Sequence, residues 1–163
     1  MTSSATPPND DALYMHATCV LCGARALLLR GPSGAGKSDL AFRLIRADAA
    51  GETRLVADDQ VRLVRDGDRL VASAPVALAG LIELRGLGLV TVPSAARGAV
   101  ALIVDLVPRE AVPRLAEPRH EEIAGLSLPV LSIHAFDATT PEKLRLALAA
   151  IPDAGFPGAD GRL

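Results

Sequence analysis

The run Gly31-Pro32-Ser33-Gly34-Ala35-Gly36-Lys37-Ser38 decides how this chain is read. It is a complete GxxxxGKS loop, in which backbone N–H groups enclose phosphates, the lysine reaches the outer two and the serine hydroxyl holds Mg2+. Its lysine is one of only two in 163 residues, Lys143 being the other, against 15 arginines. A compact ammonium sits among crowded phosphate oxygens as a point charge, whereas the guanidinium is a planar fork of different shape. Composition therefore did not place Lys37. Upstream, residues 17–29 carry two apolar stretches about Gly23-Ala24-Arg25, the pattern of a hairpin whose second strand, 26–29, feeds the loop. Downstream, Leu40, Ala41, Leu44, Ile45 and Ala47 recur at helical spacing, and the segment stops near Gly51. Strand, glycine loop and helix N-terminus are the context the motif requires.

Working outward, residues 55–57 form a short apolar strand running into Asp58-Asp59. Residues 61–64 alternate onward to a turn at 65–68, and 70–72 return antiparallel. An apolar stretch from 75 ends in Glu83-Leu84-Arg85-Gly86-Leu87-Gly88, where two glycines permit a tight loop before a strand at 89–92. Residues 100–104 are unbroken apolar, as expected of a central strand covered on both faces. The three prolines of 108–118 mark a loop, 128–133 a further short strand, and Thr140-Pro141-Glu142 the capped start of a helix running to about 150. The fold class that follows is α/β, a mixed β-sheet with the phosphate loop between a strand and a helix. One domain is expected over 12–151, between flexible tails at 1–11 and 152–163.

Composition excludes several function classes. Half the residues are hydrophobic but only Tyr14, Phe42, Phe136 and Phe156 are aromatic, so the core is built from Ala, Val, Leu and Ile and stacking on bases is disfavoured. Seventeen basic and nineteen acidic residues give a net charge of -2 with scattered arginines, which argues against extended nucleic-acid binding. Residues 1–11 lack both basic residues and an apolar stretch, and no run reaches ~18 apolar residues, so neither a targeting signal nor a membrane span is expected. A cytoplasmic protein is the expectation. Cys19 and Cys22 form one CxxC spacing without a second pair, and read as buried thiols in a strand rather than a zinc site.

Asn9 is the only asparagine, which leaves no Asn-Lys-x-Asp element for guanine and favours ATP by elimination. The metal needs an acidic partner, and two strand ends supply one. Residues 100–105 are the better generic match to an apolar strand ending in Asp, whereas Asp58-Asp59 offers two carboxylates where phosphoryl transfer to a hydroxyl needs a base. Side chains alternate on a strand, so Asp58 and Asp59 should not face the nucleotide equally. On the residues alone, either strand end serves.

His16, the loop 31–38, Val56-Ala57-Asp58-Asp59 and Leu81-Ile82-Glu83-Leu84-Arg85-Gly86-Leu87-Gly88, in that order, resemble the catalytic, C-terminal domain of the HPr kinase/phosphorylase family. The likeness covers roughly residues 13–135, in a short form without the family's separate N-terminal domain. It implies the HPr kinase/PEP carboxykinase-like P-loop fold, and an ATP- and Mg2+-dependent serine kinase acting on the phosphocarrier HPr or a related phosphotransferase-system protein. It also implies a homo-oligomer, in the family often a hexamer. Asp59 then takes the proton from the acceptor serine, Ser38 and Glu83 hold the metal with Asp58 beside them, and Lys37 keeps its phosphate role. His16 falls at the position of a catalytic histidine that tunes Asp59, and Arg114 resembles an arginine steadying charge on the transferring phosphoryl group. Arg85 either orients phosphate or pairs with a carboxylate. Gly86 and Gly88 shape the backbone, His120 and His134 are structural, and Asp105 becomes a strand-end residue. The Pro-Gly-Arg segment that the family links to dephosphorylation is not recognisable near residues 134–140, so kinase activity alone is expected. The alternatives are a kinase of a small-molecule hydroxyl, or a nucleotide-sensing module without transfer activity.

Overall fold

In the computed structural model, residues 11–154 are described; of the tails expected at 1–11 and 152–163, residues 1–10 and 155–163 lie outside them. The chain runs β1 (Leu13–Met15), β2 (Thr18–Cys22), β3 (Arg25–Arg30), α1 (Lys37–Arg46), β4 (Thr53–Ala57), β5 (Val61–Asp66) and β6 (Arg69–Ser73). It continues through β7 (Leu81–Leu84), β8 (Gly88–Thr91), β9 (Arg97–Leu106), β10 (His120–Ile123), β11 (Leu126–Ile133) and α2 (Thr140–Ala154). The predicted hairpin, phosphate loop and helix are present in that order. Two strands lack a sequence signature. β1 has only three residues, with Leu13 and Tyr14 exposed, and β10 is His-Glu-Glu-Ile with one buried residue. Each pairs with a single neighbour, so tertiary pairing rather than alternation makes it a strand.

Among the described residues, nine strands form one sheet in the order β1-β5-β6-β9-β3-β2-β4, with β11 also paired to β9 and β10 to β11. β9 organises it. Its first residues pair antiparallel with β6, its last pair in parallel with β11, and residues 100–105 lie parallel to β3 along the other edge. One strand thus joins two leaves, and the sheet curls. The predicted central strand at 100–104 is this one, longer at both ends.

Alternation then sorts the core into two layers. Leu27, Leu29, Leu102 and Val104 pack under Leu40 and Leu44 of α1 and Leu144 and Leu148 of α2. Ala26, Leu28 and Ile103 face the other way, against Val61, Leu63, Leu70, Ala72, Ile123 and Val130. Residues 26–29 of β3 are all fully buried, which explains their continuous apolar run. Each leucine so buried stabilises the fold by about 1.5–3 kcal/mol, enough to fix the strand that carries the phosphate loop. α1 stops at Arg46 because Asp48 turns the chain, accepting from the Ala50 N–H (3.1 Å) and the Thr53 hydroxyl (2.7 Å). At the other end, α2 extends to Ala154, past its expected end near 150.

Candidate active site

β3 delivers the chain into the loop 31–36 at the edge of a cleft of about 820 Å3. Gly36 is the N-cap of α1 at φ +96°, and no side chain caps the helix. Its first N–H groups are therefore left for an anion, favoured further by the helix dipole. Glycine is required there twice over, since a Cβ would violate the positive φ and lie 2.8 Å from both Ala135 Cβ and Phe136 Cζ. Lys37 is 7% exposed, and its Nζ donates to the carbonyls of Gly31 (2.6 Å) and Pro32 (3.1 Å), tying the helix to the loop's entry. Burial pulls its pKa below the usual lysine value, while the carboxylates of Asp59 and Asp58 oppose that shift.

Ser38, on the first turn of α1, donates to Asp58 Oδ1 at 2.7 Å. The same oxygen accepts from the Thr18 hydroxyl at 2.9 Å, and Oδ2 accepts from the Glu83 backbone N–H at 3.1 Å. One buried carboxylate thus binds β2, α1 and β7 together where β4 ends. Asp59 behaves differently. Its φ is +67°, rare outside glycine, and the Gln60 N–H closes a tight turn onto the Asp58 carbonyl at 2.8 Å. That turn directs Asp58 inward and Asp59 outward, where its side chain is 78% exposed and its Oδ1 accepts from His16 Nε2 at 2.8 Å when the ring carries its proton on that nitrogen. Backbone strain of this kind, about 1–3 kcal/mol, concentrates at functional sites.

Glu83 is exposed on β7 and lines the same cleft, as does Arg85. The β7–β8 hairpin stands apart from the main sheet, turning at Gly86 (φ +91°) and Gly88 (φ +98°), so those glycines shape backbone as expected. The cleft therefore gathers His16, Lys37, Ser38, Asp58, Asp59 and Glu83 from four separate segments. With four carboxylates along it, counting Asp39, a polyphosphate would be repelled unless it brought a cation. The donors fit Mg2+: hydroxyl and carboxylate oxygens too few for an all-protein cage suit an ion that keeps waters and phosphate oxygens. Ser38 and Glu83 could hold it. Asp58, whose oxygens already accept three hydrogen bonds, is placed to orient Ser38.

Asp105, the rival strand end, is engaged elsewhere. Arg30 Nε donates to it at 2.8 Å, Arg119 takes its other oxygen, and Arg30 grips Glu121 with two bonds of 2.8 Å. Asp105 does not line the cleft. Nor does Arg114, which lies on the exposed segment between β9 and β10. The structure does not bring it to the other expected catalytic residues. Gly31, Pro32 and Ala35 support the loop from behind, while Ser33, Gly34 and Gly36 face the cleft. His134 is structural, its Nδ1 3.0 Å from the Val107 carbonyl. Cys19 is buried in β2, and burial pushes its thiol pKa far up; Cys22 is half-buried. Sequence reasoning missed Thr18, hidden in an apolar strand, and Phe42 and Phe136, which line the cleft. No local signal marks any of them.

Comparisons with known proteins bear on the family and the fold. The sequence profile of the HPr Serine kinase C-terminal domain matches residues 10–135. The chain is 34% identical to the HPr kinase/phosphorylase of Geobacillus thermodenitrificans over 131 residues, 73% of this chain and 41% of that protein. It is 39% identical to that of Clostridium tetani over 80 residues, 49% of this chain and 25% of that protein. The chain thus spans well under half the length of these curated relatives. Among solved structures, the Hpr(Ser) kinase/phosphatase from Coxiella burnetii superposes with a TM-score of 0.70 at 26% identity, covering 81% of this chain and 91% of that one. A profile match across most of its length and the same mixed, curled α/β architecture place the chain in the HPr Serine kinase C-terminal domain family.

Proposed function

We propose that this chain is an ATP- and Mg2+-dependent serine kinase acting on HPr or a related phosphocarrier protein. The observation that carries it is the divergent pair at the end of β4: Asp58 buried and holding Ser38, Asp59 turned out to the cleft mouth against His16. Lys37 and the backbone N–H groups of the loop hold the outer phosphates, and Ser38 and Glu83 hold the cation. Bound there, Mg2+ supplies charge neutralisation between the phosphates. The acceptor serine oxygen attacks the terminal phosphorus in line, its proton passes to an Asp59 oxygen, and the bond to the bridging oxygen of ADP breaks. His16, 2.8 Å from Asp59, positions that carboxylate. A base that is 78% exposed can be reached by a hydroxyl carried on another protein, which favours a protein acceptor over a metabolite enclosed in a pocket.

Incubation of the chain with radiolabelled ATP, Mg2+ and an HPr-like phosphocarrier tests this. Acid-stable phosphoserine on the carrier is expected, lost in Asp59→Asn while nucleotide still binds. Transfer to a small hydroxyl compound without any protein acceptor would support the metabolite kinase instead. Nucleotide binding without turnover on any acceptor would support the sensing module. The reading extends to a homo-oligomer, supported by the exposed apolar side chains of Val76, Leu87, Leu89 and Leu115, and sedimentation velocity checks it.

A further inference from the structure

The segment between β11 and α2 holds an aromatic side chain that packing does not explain. Phe136 is 55% exposed, in a chain with only three phenylalanines. Its backbone is nonetheless tightly held. Arg43 of α1 donates to the carbonyls of Ala135 and Asp137, Thr140 Oγ1 donates to the His134 carbonyl at 2.6 Å, and Arg109 pairs with the Asp137 carboxylate. Ala135, next to it, is 1% exposed in the core. The ring meets the edge of His134, with centroids 5.7 Å apart and planes at 70°, and its Cζ lies 2.8 Å from where a Gly36 Cβ would be. A loop pinned by these four polar contacts thus holds an apolar ring in the open, beside the last glycine of the phosphate loop.

The geometry points to Phe136 as the stacking platform for the nucleotide base, a subsite adjoining the phosphate loop and a departure from the expectation, drawn from composition, that stacking on bases is disfavoured. This rests on the nucleotide reading given above. With the phosphates at the N-terminus of α1, the base must lie several ångströms away along the cleft wall, and Phe136 lines that wall in contact with Gly36. Every base has a π-face, so a ring platform holds purines and pyrimidines alike. No asparagine or glutamine lines the cleft among the described residues to read a base edge. The site accordingly takes nucleoside triphosphates with little regard to base, preferring purines through their larger stacked area.

Titration calorimetry of the full chain with Mg-ATP, Mg-CTP and Mg-tripolyphosphate tests this, the last probe having phosphates but no base. Phe136→Ala should weaken ATP about 5- to 100-fold. Tripolyphosphate binding should stay within about twofold, Phe136→Trp should restore ATP, and Phe136→Leu should not. ATP binding unchanged in Phe136→Ala, or ATP and tripolyphosphate weakened equally, would overturn the platform and leave the ring a loop support. In the wild type, tripolyphosphate binding as tightly as ATP would remove the base subsite while leaving the phosphate loop intact. Binding of neither would remove the nucleotide reading beneath it.

Discussion

Replacing Asp58 by Ala should destabilise the protein by about 2–4 kcal/mol. The magnitude follows from what its carboxylate satisfies. The Thr18 hydroxyl is fully buried and would be stranded, at about 1–3 kcal/mol. The Glu83 N–H would lose its acceptor, adding about 1 kcal/mol, whereas Ser38 faces the cleft and can rehydrate. For a domain of this size each kcal/mol moves Tm by about 2–4 °C, so a drop of roughly 4–16 °C is expected in a thermal melt. Asp58→Asn should cost less, because its amide oxygen still accepts from Thr18 and Ser38 while its NH2 opposes the Glu83 N–H. The decisive variant is Thr18→Val. Alone it removes one donor at about 1 kcal/mol; combined with Asp58→Ala it also removes the stranded hydroxyl, so the double variant should be about 1–2 kcal/mol more stable than the sum. Strict additivity, or an Asp58→Ala protein within 1 kcal/mol of wild type, would refute the claim that this carboxylate joins three elements.

Asp59→Asn should keep stability within about 0.5 kcal/mol, since asparagine tolerates the positive φ equally, while phosphoryl transfer falls at least ~100-fold; Asp59→Ala should lose about 1 kcal/mol more in urea denaturation. Gly36→Ala should cost about 2–4 kcal/mol through positive φ and the collision with Ala135 and Phe136, and should abolish tripolyphosphate binding by calorimetry. Paired bonds from Arg30 hold Glu121 below the usual carboxylate range, so the stability they give is present above the unfolded glutamate pKa of ~4.3 and lost as pH falls through the folded value. Glu121→Gln should therefore lower stability at pH 7, by about 0.5–1 kcal/mol given solvent screening at this half-exposed pair, with the difference closing in thermal melts as pH falls through the lowered folded value.

Much of this protein was decided by local chemistry that a sequence displays. Glycines at fixed offsets before Lys37 can only serve a loop of unusual backbone, an apolar run at 26–29 can only be a buried strand, and periodic leucines after Lys37 can only cover it. Those signals act within a few residues, so the hairpin, α1 and the phosphate loop with Lys37 and Ser38 were legible, whereas His16 and Glu83 became candidates, and Asp59 the base, only through resemblance to a family. The choice between Asp58-Asp59 and Asp105 was not, because both end apolar strands and differ only in what the fold places opposite them. Thr18 and Ser38 meet Asp58, while Arg30 and Arg119 meet Asp105. Phe136 was invisible for the same reason: its partner Gly36 lies 100 positions earlier in the chain, and only the parallel pairing of β11 beside β9 and β3 brings them into contact. Residue type and spacing set which groups are available, and non-local strand pairing sets which of them share a cleft.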